Sequence, residues 1–200
     1  MLQYRIIIAN TGKGTNEALE LTERIAETMG LKQKEGLRLR LLAEEMLGMV
    51  QTIAGDFSAE FWIDHEGRDC TLHLKAKSEL DYAKRQELLS VSSTGKNTAN
   101  VGIMEKIRGL FEAGLHGMSE GFAMQAEYGM VMPGMGVSAD EITGAFYVWS
   151  MQKYKEDVHE DSDAWDELEK SIIANIADEV SVGVRRDGVE LTVHKKFGGR

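Results

Sequence analysis

Two adjacent glutamates, Glu44 and Glu45, are the side chains of this sequence best placed for chemistry. The surrounding residues 37–55 carry apolar side chains at intervals of three and four, which predicts a helix with one buried stripe. Glu45 is one turn from both Leu41 and Met49, so it borders that stripe instead of lying opposite it. A carboxylate there either works in a pocket, as a general base or by orienting water, or reaches solvent at the rim of the core.

A glycine-lysine-asparagine run, formed by Gly95, Lys96 and Asn97, is a second candidate site. A lysine within a glycine turn is suited to binding an anion, and the alternative interpretation is a solvated loop tip. The five histidines are scattered, without a spacing such as His-x-x-x-His, so the sequence predicts no metal site. Neither a Gly-x-Ser-x-Gly elbow nor a cysteine–histidine pairing indicates a nucleophilic hydrolase.

The composition is that of one globular domain spanning residues 1–200. A net charge of −10 argues against nucleic acid as a partner, because phosphate binding requires a basic surface. The single cysteine, Cys70, occupies an apolar position of a predicted strand, which indicates a buried and inert thiol in a reducing compartment. The sequence shows no signal-peptide pattern and no membrane-spanning run, so we expect a soluble cytoplasmic protein without a membrane partner.

The apolar patterns divide the chain into alternating strands and helices. Strands are predicted at 3–9, 60–65, 70–77, 145–154, 180–185 and 189–196. Helices are predicted at 16–29, with Thr15 as the cap, and at 31–55, 101–113 and 164–177. This order predicts an α/β (α+β) fold, a two-layer sandwich in which one mixed, mostly antiparallel sheet carries helices on one face.

Residues 114–144 depart from this pattern, because they are rich in glycine and methionine and contain the single proline, Pro133. We predict an insertion or lid within the domain. Methionines usually fill cores, but five of them in so glycine-rich a stretch can also form an adaptable apolar surface for a partner.

The order of the elements resembles the GHKL, or Bergerat-fold, histidine-kinase-like ATPases, and especially the anti-sigma-factor serine kinases. In that family the central helix carries Glu-x-x-x-Asn, whose glutamate positions a water or assists transfer and whose asparagine holds magnesium. The stretch LAEEMLGMV resembles this helix, with Glu45 in place of the glutamate and Met49 in place of the asparagine. The stretch TANVGIMEKIRGLFE resembles the helix that follows the family's Gly-x-Gly phosphate cradle. Depending on the alignment, Thr98 and Asn100 replace the two glycines, or only Gly102 remains.

The departures from the family's motifs predict that ATP turnover is lost. The family's Asp-x-Gly-x-Gly motif, whose aspartate binds the adenine amino group, corresponds here to a stretch that begins at Ala76, which offers no acceptor. The thioether of Met49 cannot supply the hard oxygen ligand that magnesium requires. Without paired glycines, the backbone cannot approach phosphates as closely.

We therefore predict a degenerate histidine-kinase-like ATPase domain that acts as a regulatory or protein-interaction module, without a required cofactor and without enzymatic turnover. The resemblance implies a protein partner, such as a sigma-factor-type regulator, and homodimerisation through sheet edges. One alternative is a serine kinase of the anti-sigma type that binds ATP and Mg²⁺ through displaced ligands, with Glu45 as the catalytic residue. A second alternative is a small-molecule sensor that uses the space left by Met49 and Ala76. The nucleotide-binding candidates are Glu44, Met49, Ala76, Gly95, Lys96, Asn97, Asn100 and Gly102.

Overall fold

The computed structural model describes residues 4–53, 57–77, 102–116, 137–138, 147–157, 163–185 and 188–198. The strands in these ranges are β1 (Ile6–Ala9), β2 (Ser58–Glu66), β3 (Asp69–Lys77), β4 (Val137–Ser138), β5 (Tyr147–Ser150), β6 (Glu179–Arg185) and β7 (Gly188–Lys196). They form one sheet in the order β1-β2-β3-β7-β6-β5-β4, and each pair of neighbours is antiparallel.

The helices in the same ranges are α1 (Thr15–Thr28), α2 (Gln33–Gln51), α3 (Ile103–His116), α4 (Met151–Asp157), α5 (Asp163–Lys170) and α6 (Ile172–Ile176). Helices α1 and α2 pack on each other and against the β1 end of the sheet, whereas α3 and α4 pack over β6. The core lies between the sheet and these helices, which confirms the predicted two-layer sandwich. None of the described helices combines the length and apolarity needed to cross a bilayer.

Helix α2 supplies the buried stripe that its spacing predicts. The stripe residues are at most 3% exposed and belong to the core: Leu39, Leu42, Met46, Val50 and Ile53. The helix is shorter than predicted, because it begins at Gln33 and ends at Gln51. Ile53 is therefore buried from the turn that follows the helix.

The start of α1 differs from the predicted cap at Thr15. Gly14 holds the N-cap position with φ 86°, and Thr15 is the first helical residue. A Cβ atom at Gly14 would lie 2.1 Å from the carbonyl oxygen of Ile7, so the turn from β1 into α1 requires glycine. The hydroxyl of Thr15 instead accepts a hydrogen bond from the Gln51 amide nitrogen at 3.4 Å, which joins the start of α1 to the end of α2.

A tight hairpin joins β2 and β3 as predicted, with Gly67 at φ 59° in its turn. The next residue, Arg68, donates to Glu35 Oε1 at 2.7 Å and to the carbonyl oxygens of Gly30 and Phe197 at 3.3 and 3.4 Å. This one side chain therefore ties the hairpin to the connection between α1 and α2 and to the end of β7.

The buried cysteine predicted on this hairpin is confirmed. Cys70 is 1% exposed, and its thiol donates to the carbonyl oxygen of Lys195 at 3.4 Å. Burial, with a smaller contribution from the charge of Asp69, raises the pKa of the Cys70 thiol to about 12. The sulfur stays protonated at neutral pH and is a poor nucleophile.

The strand predicted at 145–154 is wrong in its second half, because β5 ends at Ser150 and α4 begins at Met151. The Ser150 hydroxyl accepts a hydrogen bond from the Lys153 backbone N–H at 3.4 Å, as a residue that precedes a helix commonly does. Met151 and Tyr154 are both buried, which fits helical spacing. In so short an apolar run, the spacing alone does not separate strand from helix.

The single helix predicted at 164–177 is also wrong, because Ser171 divides it into α5 and α6. The Ser171 hydroxyl accepts a hydrogen bond from the Ala174 N–H at 3.4 Å and so caps a new helix. The break changes which side chains face the core. Ile172 is 43% exposed, and the neighbouring Ile173 is fully buried.

The segment predicted as an insertion or lid, residues 114–144, is described only in part. Residues 114–116 belong to α3, so this helix extends three residues past its predicted end at 113. Residues 137–138 form β4, a strand that the sequence did not indicate, at the edge of the sheet. The remaining residues of this segment, 117–136 and 139–146, lie outside the described residues. So does the stretch 91–100, which contains the candidate Gly95, Lys96 and Asn97.

The sheet face opposite the core carries a stack of three planar groups from neighbouring strands. The Trp62 indole lies parallel to the His73 imidazole, with 4.7 Å between ring centroids, and the Arg5 guanidinium lies 4.4 Å from the indole centroid. The imidazole nitrogens of His73 lie 3.3 Å from an Asp64 carboxylate oxygen and 3.2 Å from a Glu190 carboxylate oxygen. Polar groups on this face are thus satisfied by one another.

Candidate functional site

A cleft of about 250 Å³ lies between α2 and α3 and is lined in part by the predicted site residues Glu44, Glu45 and Met49. Helix α2 contributes residues 44, 45, 48 and 49, together with its C-cap residue 52. Helix α3 contributes residues 104, 105 and 108. In both helices these positions are spaced by one, three or four residues, so each set occupies one helical face. The residues lining the cleft are Glu44, Glu45, Gly48, Met49, Thr52, Met104, Glu105 and Arg108.

The walls of the cleft are largely apolar. Met49 is buried at 5% exposure, and Met104 is partly buried and packs against the core. Between them, Gly48 is exposed, and a Cβ atom built on it would meet nothing within 4 Å. The Thr52 hydroxyl donates to the Met49 carbonyl oxygen at 2.7 Å and is therefore already bonded. The cleft consequently presents two thioethers and an open stretch of helix backbone.

Three carboxylates surround these walls, and they differ in their partners. Glu44 accepts a hydrogen bond from the Arg40 guanidinium at 2.9 Å, and Arg40 also pairs with Glu23 of α1. The carboxylates of Glu45 and Glu105 make no hydrogen bond or ion pair with another residue of the described ranges. Glu105 lies in the first turn of α3, where the helix dipole favours a negative charge. Two carboxylates of the cleft are thus left without a cation.

Arg108 is the one cation among the described residues that line the cleft. Its Nε atom lies 4.0 Å from Glu112 Oε1, one turn further along α3, which is too long for a hydrogen bond. That Nε atom is buried and has no hydrogen-bond partner among the described residues. A buried N–H group without an acceptor is unfavourable, and an incoming oxygen could reach this one only if the Arg108 side chain moved.

The structure places some of the predicted site residues in the cleft and others elsewhere. Glu44, Glu45 and Met49 line the cleft, whereas Ala76 is fully buried on β3, between Ala59 on β2 and Val189 on β7, and does not line it. Gly102 precedes α3, and its carbonyl oxygen accepts from the Lys106 N–H at 3.0 Å. The candidates outside the described residues are Gly95, Lys96, Asn97 and Asn100.

Sequence reasoning missed more than half of the lining residues. These are Gly48, Thr52, Met104, Glu105 and Arg108. A signal for α2 was present, because Gly48 and Thr52 lie one and two turns after Glu44. The contribution of α3 had no comparable signal, since it depends on how two helices separated by more than fifty residues pack side by side.

A second depression, of about 470 Å³, surrounds the β2–β3 turn but offers less chemistry. Its walls include Arg68, which is bonded to Glu35, and Cys70, whose thiol is protonated at neutral pH. Asp69, also in the wall, lies 2.6 Å from His194 Nε2. Within the described ranges, no group of three or more histidine, cysteine, aspartate or glutamate side chains could hold a metal ion.

The resemblance to histidine-kinase-like ATPases stays a prediction after comparison with known proteins. No family model matches the sequence, and no curated protein or solved structure is significantly similar to it. What the structure adds is local: the helix that carries Glu45 and the helix that begins with Ile103 face one shared cleft.

Proposed function

We propose that this domain is a regulatory, protein-binding module that keeps an ATPase-like scaffold without ATP turnover. One observation supports this proposal above the others. The cleft between α2 and α3 is lined by three carboxylates and one guanidinium, and Met49 holds the position where the resemblance would require a magnesium ligand.

The charge of the cleft disfavours a nucleotide. A triphosphate carries several negative charges, and Glu45 and Glu105 would repel it without an intervening metal. Magnesium could offset the repulsion only through oxygen ligands, and a thioether is a poor ligand for this hard cation. The volume, about 250 Å³, is also below the roughly 300–1,000 Å³ of pockets that enclose drug-sized ligands.

Calorimetric titration with magnesium–ATP and with ADP tests the proposal. We expect no binding heat for the wild-type protein, for Glu45→Ala, or for a matched control, Glu20→Ala, which removes an exposed carboxylate of α1 away from the cleft. Binding tighter than about 100 μM, roughly 5.5 kcal/mol, that weakens in Glu45→Ala but not in Glu20→Ala would refute the proposal and support the serine-kinase alternative.

A small-molecule sensor is the second candidate, and the two thioethers favour it. Met49 and Met104 give the cleft apolar walls that a small ligand could contact. A thermal-shift series with alkylamines and amino acids tests this function. A ligand present at about 100 times its Kd stabilises the folded state by about 2.7 kcal/mol, which is a measurable rise in Tm. Loss of that rise in Met49→Ala, with the rise retained in Glu20→Ala, would support the sensor.

A further inference from the structure

We infer that the cleft between α2 and α3 is the docking site for a short segment of a partner protein, and that a lysine or arginine side chain of that segment enters the cleft. This inference rests on the proposed protein-binding function and names the surface and the partner chemistry. Its support comes from the charge, the walls and the length of the cleft.

Charge complementarity identifies a cation as the occupant. Glu45 is half-buried and Glu105 is exposed, and neither has a cationic partner in the described part of the chain. The third carboxylate, Glu44, already pairs with Arg40, so it shapes the rim without needing a new partner. The net charge of −10 for the whole chain would further attract a basic partner over long range.

The walls of the cleft suit the stem of such a side chain. Lysine and arginine bury their methylene stems along apolar surface while the charged head reaches polar groups. Here Met49 and Met104 offer thioether surface beside the two unpaired carboxylates. Methionine is flexible and polarisable, so such walls adjust to side chains of different shape. The open space over Gly48 leaves room for the stem.

The cleft length favours a peptide over a free amine. The lining residues of α2 run from Glu44 to Thr52, which at about 1.5 Å per residue is roughly 12 Å. An extended chain of about four residues covers that distance at about 3.3 Å per residue.

Panning of a random dodecapeptide display library on the full-length protein tests the inference. Library members are first depleted on Gly48→Phe, whose ring would occupy the space over Gly48 without meeting other atoms within 4 Å of its Cβ. Gly109→Phe is the matched control, because Gly109 is an exposed helical glycine of α3 with equally open surroundings and does not line the cleft. Circular dichroism checks that both variants fold.

We expect the enriched peptides to share a lysine or arginine beside apolar residues. By fluorescence anisotropy, their affinity should fall at least about tenfold for Glu45→Gln/Glu105→Gln, a loss within the range for removing charge partners at an interface. The control pair Glu20→Gln/Glu27→Gln changes the net charge equally on α1 and should alter affinity by less than about twofold, because its charges are exposed and screened.

Three results would overturn the inference. They are a lack of enriched peptides on wild type after depletion on Gly48→Phe, enriched peptides without a basic residue, and an equal loss of affinity for the two glutamate pairs. If butylamine binds the cleft as tightly as the best peptide, the occupant is a small amine and the sensor replaces the docking site. The nucleotide titration is a separate test, so failure of the docking inference and failure of the proposed function are distinguishable.

Discussion

Substitution of glycine by alanine should change the free energy of unfolding in opposite directions at Gly48, which lines the cleft, and at Gly14, which precedes α1. Gly48 lies in the interior of α2, exposed, with an ordinary helical backbone and free space around the added methyl group. Gly14 precedes α1 with φ 86°, and its added methyl group would lie 2.1 Å from the Ile7 carbonyl oxygen. We expect Gly48→Ala to stabilise the domain and Gly14→Ala to destabilise it.

The magnitudes follow from the two environments. A glycine in a helix interior costs roughly 0.5–1 kcal/mol relative to alanine, so Gly48→Ala should raise the free energy of unfolding by about that amount. At Gly14, the left-handed backbone alone costs an L-residue about 1–2 kcal/mol. The contact with Ile7 adds to this, because the backbone must move to relieve it. The two variants should therefore differ by at least about 2 kcal/mol.

Urea unfolding followed by far-ultraviolet circular dichroism measures both effects, with linear extrapolation to zero denaturant. The slope m should stay constant, so that the midpoint alone reports the change. A Gly14→Ala midpoint equal to or above wild type would show that the turn between β1 and α1 does not have the described geometry. A Gly48→Ala midpoint below wild type would show that the space over the cleft is already filled.

Three further variants or reactions test other parts of the fold. Ser171→Ala should lower the free energy of unfolding by about 0.5–2 kcal/mol, because serine caps α6 through the Ala174 N–H. Ser171→Gly should lower it by only a few tenths of a kcal/mol. Urea unfolding midpoints measure both changes, and equal losses would contradict the cap. Cys70 should resist iodoacetamide at pH 8 in the native state and react in urea, since burial raises its pKa to about 12. Mass spectrometry measures the alkylation, and rapid alkylation of the native protein would contradict the burial. A hydrogen bond from the Lys32 N–H lowers the pKa of Glu35, so this carboxylate stabilises the fold above its unfolded pKa and loses that contribution as pH falls through the folded value. Glu35→Gln should therefore flatten the decline in stability below about pH 4, and an unchanged acid profile would exclude this coupling.

The fold class could be predicted because its strongest signals are local and periodic. The stripe of α2 repeats over about three turns, from Leu39 to Val50, and the β2–β3 hairpin has alternation on both sides of a glycine turn. Where the prediction was wrong, short-range hydrogen bonds decided the structure. The hydroxyls of Ser150 and Ser171 cap the starts of α4 and α6. Neither serine interrupts the apolar pattern of the sequence, so the pattern does not reveal these helix starts.

Less than half of the candidate site could be predicted from the sequence, because the rest depends on tertiary packing. Glu45 was identifiable because it borders the stripe of its own helix. Glu105 and Arg108 lie on α3, and only the packing of both helices on one sheet brings them opposite α2. Ala76 shows the converse. The resemblance to the ATPase family placed it at a pocket, but the alternation of β3 directs its side chain into the core.

The two faces of the sheet explain why the α2–α3 cleft is the more promising surface for a partner. On the face opposite the core, Trp62 is only 5% exposed because Arg5 and His73 cover its ring, so the apolar surface there comes from side chains such as Ile7, which is 57% exposed. The charges there already contact one another. At the cleft, by contrast, Glu45 and Glu105 are unpaired within the described ranges, beside the partly buried side chain of Met104. A partner gains most where it satisfies charges and covers apolar atoms that the folded chain itself leaves unsatisfied, and those conditions coincide between α2 and α3.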